Sequence, residues 1–236
     1  MREISGHIVF LTGADGGIGR ALLDEFIKRG ARKIYAAGIN EERLQQLSSQ
    51  FPGKVYPVLM DVTDDQAVRN AAKEIKDITI LINNAGVELK SSFIGKDAAA
   101  MALTEMQVNY IGVIRLINEF LNHLKQNTPS YIVNILSVGS SAVLTRLATY
   151  CASKTAAHLL TQSLREQLTA DNIDIIGVYP GYVDTPMSTD AEAIKISPQD
   201  LASAICGKFE KGENDIFPDE MSLAFFRENP IHLAYL

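Results

Sequence analysis

Apolar, β-forming stretches recur along the chain at intervals that leave room for one helix between neighbours. The stretches are His7–Thr12, Lys33–Gly38, Lys54–Met60, Ile78–Asn84, Tyr131–Ser137, Asp174–Tyr179 and the short Asp215–Phe217. Continuous apolar stretches of this length are typical of parallel strands that are covered on both faces. The alternation of strand and helix therefore predicts an α/β fold, a doubly wound parallel sheet of about seven strands with helices on both faces.

Amphipathic patterns between these stretches predict helices, and some carry start and stop signals. In the segment from Ser197 to Gly212, a serine N-cap and a terminal glycine predict both ends of one helix. Thr63, with Gln66 three residues later, predicts a capping box at the start of another. The apolar pattern over Asp97–Gln126 predicts one long helix.

The composition limits the class of protein. Of 236 residues, 47% are hydrophobic, which supports a sizeable core and predicts a single domain over residues 1–236. The net charge is −6 with the charges interspersed, so we expect no nucleic-acid partner. Without a signal peptide or an apolar stretch of about 20 residues, we expect a cytoplasmic protein with no membrane partner. Two cysteines and four scattered histidines predict neither a disulfide framework nor a metal site.

The segment LTGADGGIGR follows the first predicted strand and places Gly13, Gly17 and Gly19 in a G-x-x-x-G-x-G spacing. At such a turn the backbone can approach a phosphate closely, at the positive end of a helix dipole. The spacing differs from the common G-x-G-x-x-G dinucleotide fingerprint, and no Gly-Lys-Ser/Thr follows as in a Walker P-loop. A purely structural strand–helix turn also explains the glycines taken alone.

Further motifs follow the later strands in chain order. The fourth strand ends in N-N-A-G at residues 83–86, and the fifth ends at Ser137. Tyr150 and Lys154 form a Y-x-x-x-K motif thirteen residues after that serine, and P-G-x-x-x-T at 180–185 closes the sixth strand. Because ligands of doubly wound sheets bind at the carboxyl ends of the strands, these motifs are placed to form one site.

From about Ile4 to Phe217, this combination of motifs resembles the single-domain branch of the short-chain dehydrogenase/reductase superfamily. The resemblance implies a Rossmann fold and an oxidoreductase that transfers a hydride between a nicotinamide cofactor, NAD or NADP, and a small carbonyl or alcohol substrate. The alternative is a non-catalytic NAD(P)-binding sensor or scaffold. A dehydratase or epimerase of the family's extended branch is disfavoured, because the chain lacks the length of a second, substrate-binding domain.

Carbonyl reduction also needs a proton donor for the carbonyl oxygen. Tyr150 and Lys154 are four residues apart, which on a helix places them on one face. A neighbouring ammonium and the positive charge of an oxidised nicotinamide both favour the phenolate, so we expect the pKa of Tyr150 to fall below its usual value of about 10. By the resemblance, Tyr150 is the general acid/base, Lys154 tunes it and holds the nicotinamide ribose, Ser137 binds the substrate oxygen, and Asn109 holds a water that links Lys154 to solvent. A surface Tyr–Lys pair beside a strand-end serine is the alternative.

The resemblance also implies which residues contact the cofactor. They belong to the glycine turn, the ends of the third, fourth and sixth strands, and the Tyr–Lys pair: Thr12, Gly13, Gly17, Ile18, Gly19, Asp61, Val62, Asn84, Ala85, Gly86, Tyr150, Lys154, Pro180, Gly181, Val183 and Thr185. Asp61 and Val62 would face the adenine, and Val183 and Thr185 the carboxamide. The alternatives are that Asp61 only begins a helix cap and that Pro-Gly forms only a turn.

At the end of the second strand the chain departs from the family pattern. Gly38 stands where NAD-preferring members usually have an acid, and Ile39 stands where NADP-preferring members often have arginine. Asp15 adds a negative charge within the glycine turn, and Arg43 is the nearest basic residue along the chain. The choice between NAD and NADP stays open, with a lean to NAD because a phosphate beside Asp15 would be costly.

Apolar residues after several strands predict a largely apolar substrate pocket, although core packing explains them as well. They are Val87, Val138, Val143, Leu144, Tyr182 and Met187. The helices over 97–126 and 150–170 carry more apolar residues than one buried face needs. With the resemblance, this surplus predicts a homodimer or homotetramer with a four-helix interface; the alternative is that the chain's own tail, from Gly212 onward, covers it.

Overall fold

The computed structural model describes residues 1–229, which form one parallel sheet flanked by helices. Its seven strands are β1 (Ile8–Thr12), β2 (Lys33–Gly38), β3 (Val55–Leu59), β4 (Ile80–Asn83), β5 (Ser130–Ile135), β6 (Ile173–Val178) and β7 (Asp215–Ile216). The order in the sheet is β3-β2-β1-β4-β5-β6-β7, and all pairs are parallel. The doubly wound α/β fold predicted from the sequence is confirmed.

Helices cover both faces of this sheet. They are α1 (Gly17–Lys28), α2 (Glu41–Gln50), α3 (Asp65–Glu74), α4 (Ala98–Met106), α5 (Gly112–Gln126), α6 (Ala148–Gln167), α7 (Pro198–Glu210) and α8 (Glu220–Glu228). Helices α1, α2 and α7 pack on one face, whereas α3, α5 and α6 pack on the other. In β1, Val9 and Leu11 point to the first face while Ile8 and Phe10 point to the second, so four consecutive residues of the strand are apolar.

The strand order places a crevice beside β1. From β1 the chain proceeds outward to β2 and β3, and then returns to β4 on the other side of β1. The connections that leave β1 and β4 therefore diverge, and the crevice opens at the carboxyl ends of these two strands. The motifs identified in the sequence surround this point.

Most predicted element boundaries agree with the structure. Each of the seven strands begins and ends within two residues of its predicted bounds. In α7, the Ser197 hydroxyl accepts a hydrogen bond from the Asp200 amide, and the helix ends before Gly212, whose φ of 86° is in the left-handed region. The two predicted ends of α7 are therefore confirmed.

The capping box predicted for Thr63 and Gln66 is wrong. The Thr63 amide and hydroxyl both donate to Asp61 Oδ1, each at 2.8 Å, so Thr63 belongs to the preceding turn. The N-cap of α3 is Asp64, whose carboxylate accepts from the amides of Gln66 (2.8 Å) and Ala67 (3.0 Å). Asp64 thus accepts from the Gln66 amide, which the predicted capping box gave to Thr63, and from the next amide as well.

The long helix predicted over Asp97–Gln126 is continuous but not uniform. Its two α-helical parts, α4 and α5, are joined by a π-helical turn over Gln107–Ile111. A π turn inserts one extra residue and rotates the side chains that follow it. Asn109 lies in this turn and is fully buried, so the irregular segment is also the one that carries a predicted site residue.

The described part of the C-terminal tail packs at the β7 edge of the sheet. Phe226 of α8 lies against Tyr179 and Phe217, with ring centroids 5.3 and 4.7 Å apart. Residues 230–236, the last part of the tail considered in the sequence, lie outside the described residues. None of the helices between residues 1 and 229 is long and apolar enough to cross a membrane.

Candidate active site

A cleft at the carboxyl ends of the central strands brings ten of the predicted site residues together. Its volume is about 750 Å³, including space open to solvent. The predicted site residues that line it are Ile18, Asn84, Gly86, Ser137, Tyr150, Lys154, Pro180, Gly181, Val183 and Thr185. One wall therefore carries the Tyr–Lys pair, and another carries the start of α1.

The glycine turn fits a phosphate group because its backbone amides are free of side-chain caps. Gly16 is the N-cap of α1 without a side-chain hydrogen bond, and the first turn of α1 contains no acidic residue. Gly13 has a φ of 63°, and a Cβ on Gly19 would lie 2.0 Å from the Gly13 carbonyl oxygen. A Cβ on Gly17 would lie 2.9 Å from Thr185 Cγ2. These glycines let the turn fold tightly under a helix N-terminus that is open to an anion.

Thr12 and Asn84 support this turn from the protein side. The buried Thr12 hydroxyl donates to the Ile82 carbonyl (3.2 Å) and accepts from the amides of Asn84 and Ala85, each at 3.0 Å. Asn84 Nδ2 in turn donates to the carbonyls of Thr12 (2.8 Å) and Gly13 (3.2 Å). These hydrogen bonds join the ends of β1 and β4 and fix the shape of the crevice.

Asp15 accounts for the missing side chain at position 38. Its Oδ2 accepts from the amides of Ile39 (3.2 Å) and Asn40 (2.9 Å), just beyond β2. A Cβ on Gly38 would lie 2.3 Å from Asp15 Oδ1, so the carboxylate occupies the space that a side chain at 38 would need. Ile39 is 73% exposed, and Arg43 Nη1 donates to the Asp15 carbonyl at 3.3 Å.

Asp61 and Val62 lie at the end of β3, away from the cleft that holds the Tyr–Lys pair. The Asp61 carboxylate is exposed and organises the turn with Thr63 described above. Val62 is buried, and its Cγ2 would lie 2.9 Å from a Cβ on Gly112. Both residues thus have structural contacts, and their contact with an adenine stays a prediction.

Tyr150, Lys154 and Ser137 lie together in the cleft. Tyr150 and Lys154 are one turn apart on α6, and Lys154 Nζ is 5.7 Å from the centroid of the Tyr150 ring. Lys154 Nζ donates to the Ile135 carbonyl at the end of β5 (2.9 Å). Ser137 follows the same strand, and its hydroxyl accepts from the Gly139 amide at 3.0 Å. The end of β5 therefore holds both Ser137 and the ammonium of Lys154 beside the phenol.

The pKa of Tyr150 differs from the sequence-based expectation. Burial raises the pKa of the phenol well above its usual value, because the phenolate loses hydration; Ser137 opposes this rise and the charge of Glu88 adds to it. Burial also lowers the pKa of the Lys154 ammonium to about 8. In the protein alone, burial is the dominant effect on the phenol, and the expected lowering beside an oxidised nicotinamide stays a prediction.

Asn109 fixes the chain that follows β4. Its Oδ1 accepts from the Val87 amide, and its Nδ2 donates to the Val87 carbonyl and to Ser153 Oγ, each at 2.9 Å. A Cβ on Gly86 would lie 3.2 Å from Asn109 Oδ1 and 3.5 Å from Lys154 Nζ. Asn109 thus lies close to Lys154 and positions the cleft wall, while its expected link to Lys154 through a water stays a prediction.

The segment after β6 closes the other side of the cleft. The Gly181 amide donates to Asp219 Oδ2 at 2.8 Å, and Val183 forms an isolated parallel bridge with Ile196. Thr185 lies against Gly17 of the glycine turn, because a Cβ at position 17 would collide with the Thr185 methyl group. These contacts bring the predicted carboxamide residues next to the predicted phosphate turn.

The structure also corrects the predicted substrate pocket. Of the six apolar residues, Val138, Leu144, Tyr182 and Met187 line the cleft, whereas Val143 is 92% exposed outside it. Val87 is not a lining residue either. Five further lining residues were not predicted from the sequence: Glu88, Ile135, Leu136, Leu147 and Ser188. Among residues 1–229, no group of three or more His, Cys, Asp or Glu side chains could hold a metal ion.

Comparisons with known proteins agree with this fold. The family model described as short chain dehydrogenase matches residues 7–195. An uncharacterized oxidoreductase of Staphylococcus saprophyticus is 30% identical over 215 residues, which cover 86% of this chain and 91% of that protein. A short chain dehydrogenase from Burkholderia cenocepacia, solved in complex with NADP, is 34% identical with a TM-score of 0.91 and coverage of 98% and 95%.

A further structure has the same fold at lower identity. This short chain dehydrogenase/reductase from Burkholderia phymatum, solved in complex with NAD, is 23% identical with a TM-score of 0.87 and full coverage of both chains. The family model covers most of the chain, and the B. cenocepacia protein matches nearly all of it at 34% identity. The chain therefore belongs to the short-chain dehydrogenase/reductase superfamily and is an oxidoreductase with the Rossmann fold of that family.

Proposed function

We propose that residues 1–236 act as one catalytic domain that interconverts a small, largely apolar carbonyl compound and its alcohol with NAD or NADP. The observation that carries this proposal is the cleft in which Tyr150, Ser137 and Lys154 lie opposite the uncapped start of α1. The walls near the phenol are mainly apolar, with Val138 and Leu144 among them. A cytoplasmic location stays a prediction.

Each polar side chain has a distinct task in this reaction. When bound, the reduced nicotinamide supplies the hydride that reduces the carbonyl carbon. Tyr150 is protonated at neutral pH, because burial raises its pKa, so its hydroxyl can donate a proton to the carbonyl oxygen. Ser137 donates a hydrogen bond to the same oxygen as negative charge develops there. Lys154, with a pKa lowered to about 8, is mostly charged at neutral pH and favours the phenolate that proton transfer leaves behind.

A screen of ketones, aldehydes and alcohols with each cofactor tests this proposal. Turnover is followed by the absorbance of reduced nicotinamide, and cofactor binding is measured separately by titration. Oxidation or reduction of at least one panel member supports an enzyme. Cofactor binding without turnover of any member would favour the sensor or scaffold, and absence of both would contradict nicotinamide binding itself.

For the cofactor, we favour NAD, on the position of Asp15. Its carboxylate fills the space beside Gly38, so an acid is present at the end of β2 although the strand itself supplies none. A 2′-phosphate placed there would meet a like charge, whereas ribose hydroxyls could donate to the carboxylate. NADP is the alternative: it is bound by the B. cenocepacia protein, and Arg43 is the nearby cation in this chain.

Asp15→Asn should raise the ratio of kcat/KM with NADP to kcat/KM with NAD by about tenfold, because it removes one nearby charge. The asparagine oxygen can still accept from the Ile39 and Asn40 amides, so the turn should persist. Adding Ile39→Arg should raise the ratio further through a phosphate contact. Glu166→Gln, an equal charge change at an exposed position of α6, is the control. An unchanged ratio in both Asp15 variants would place the adenosine elsewhere.

For the assembly, we favour a homodimer or homotetramer. Leu103 of α4 is 62% exposed and Leu159 of α6 is 58% exposed. The described part of the tail does not cover them, because Phe226 packs on Tyr179 and Phe217. Sedimentation at micromolar concentration should give at least twice the 25.8 kDa chain mass. Leu103→Glu should shift the distribution toward monomer, because it places a charge in the interface. A monomer for the unmodified chain would contradict the prediction.

A further inference from the structure

Glu88 places a carboxyl group in an otherwise mainly apolar part of the cleft. It lies two residues after the N-N-A-G motif and is half-buried. Its side chain lines the catalytic cleft and also an adjoining pocket of about 520 Å³, to which Leu147, Tyr182 and Met187 contribute as well. Glu88 therefore stands where the two compartments meet.

The neighbours of Glu88 are bonded to other groups. The Leu89 amide donates to Glu105 Oε1 at 2.7 Å, and Lys90 Nζ forms an ion pair with Asp190 at 2.6 Å. Arg146 lines the adjoining pocket without a bond to Glu88. Within residues 1–229, the Glu88 carboxylate makes no hydrogen bond or ion pair. A half-buried carboxylate without a protein partner can accept hydrogen bonds from a ligand.

Glu88 is also electrostatically coupled to the proposed acid. Burial raises the pKa of the Glu88 carboxyl, and its negative charge contributes to the raised pKa of Tyr150. Because Tyr150 and Glu88 line the same cleft, a molecule whose carbonyl oxygen contacts Tyr150 has the Glu88 carboxylate in the wall around it. The surrounding wall, with Leu144, Leu147 and Met187, offers that molecule mainly apolar contacts.

We infer that Glu88 determines substrate specificity by accepting a hydrogen bond from a hydroxyl or protonated amine on an otherwise apolar carbonyl or alcohol substrate. A substrate without such a donor would desolvate the carboxylate and leave it unpaired, which is costly. A substrate with the donor replaces the lost water by a charge-assisted bond. This inference rests on the proposed function, since it assigns the substrate class of the same cleft.

The test compares six-carbon ketones that differ in one substituent. The panel contains an unsubstituted ketone, hydroxyketones and dimethylammonium ketones, with each substituent at two distances from the carbonyl. The readout is the ratio of kcat/KM for each substituted ketone to that for the unsubstituted one, measured in the unmodified protein and in Glu88→Gln, Glu88→Leu and Glu166→Gln. Because the ratio is internal to each variant, a loss of folded protein cancels.

We expect the unmodified protein to favour at least one donor-bearing ketone, and Glu88→Leu to lower that ratio about tenfold or more. If the donor is a hydroxyl, Glu88→Gln should retain part of the preference, because the amide oxygen still accepts. If it is an ammonium, Glu88→Gln should lose as much as Glu88→Leu, because the charge is gone. Glu166→Gln should leave every ratio unchanged.

Three outcomes would overturn the inference, and they are distinguishable. Turnover of the panel without preference for a donor would show that Glu88 selects no such group, and the proposed oxidoreductase would stand. A preference that persists in Glu88→Leu would assign the recognition to another residue. If no member of this panel or of the wider screen is turned over, the proposed function fails, and this inference fails with it.

Discussion

Tyr150→Phe is expected to lower turnover at least about 10²-fold, which is the usual contribution of a positioned general acid. The substitution keeps the aromatic ring in the wall of the cleft and removes the hydroxyl that would protonate the carbonyl oxygen. The other two polar side chains are poorer proton donors here: the Lys154 ammonium is held by the Ile135 carbonyl, and the Ser137 hydroxyl, which can donate a hydrogen bond, is a much weaker acid than a phenol. The effect should appear in kcat, because the proton is transferred during the chemical step and the lost interaction stabilises the transition state rather than the bound substrate.

The measurement needs a cofactor titration beside the rate assay. The affinity for the nucleotide should change little, because the phosphate turn and Lys154 are untouched. Tyr56→Phe removes a phenol from an exposed position on β3 and should leave the rate unchanged. A Tyr150→Phe variant that turns over a substrate at close to the parent rate would exclude Tyr150 as the acid.

The sheet could be predicted from the sequence because its central strands, β1, β4 and β5, are buried on both faces. Such strands appear as continuous apolar stretches, and β1 with its alternating contacts to both cores is an example. The grouping of Ser137, Tyr150 and Lys154 could be anticipated for a related reason. The carboxyl ends of parallel strands meet at one edge of the sheet, so motifs at these ends converge whatever the loop conformations are.

Contacts between loops could not be predicted in this way. The Asp15 carboxylate reaches the amides after β2, and this explains Gly38, but nothing in the spacing of residues 15 and 38 indicates it. The N-cap of α3 differs from its prediction because Asp64 and Thr63 both suit that position, and a hydrogen bond to Asp61 decides between them.

Properties that depend on neighbouring side chains could not be predicted from the sequence either. The direction of the Tyr150 pKa shift depends on how deeply the phenol is buried, which a four-residue spacing to lysine does not report. Likewise, Glu88 follows a recognisable motif, but the motif does not show that the Glu88 carboxylate is left without a partner. That follows from the contacts of the residues next to it, which pair with Glu105 and Asp190. The sequence thus identifies the groups at the strand ends better than it identifies their chemistry.

Gly19→Ala is expected to destabilise the protein and weaken nucleotide binding, although alanine is normally the better helix residue by about 1 kcal/mol. Gly19 is the third residue of α1, and a Cβ there would lie 2.0 Å from the Gly13 carbonyl oxygen and 2.9 Å from Ala14 Cα. Both are backbone atoms, so the helix and the turn must separate. Overpacking of this kind costs about 1–3 kcal/mol, and a contact this short places the variant at the upper end.

Thermal unfolding and a nucleotide titration measure the two effects. For a domain of this size, a net loss of about 2 kcal/mol should lower Tm by about 4–8 °C. Gly207→Ala is the matched control, because a Cβ at this position in α7 meets nothing within 4 Å. It should stabilise the protein by about 0.5–1 kcal/mol and leave nucleotide affinity unchanged. If Gly19→Ala behaved like this control, the close packing of α1 on the phosphate turn would be wrong. The glycine at position 19 would then not be required by the packing of the protein itself.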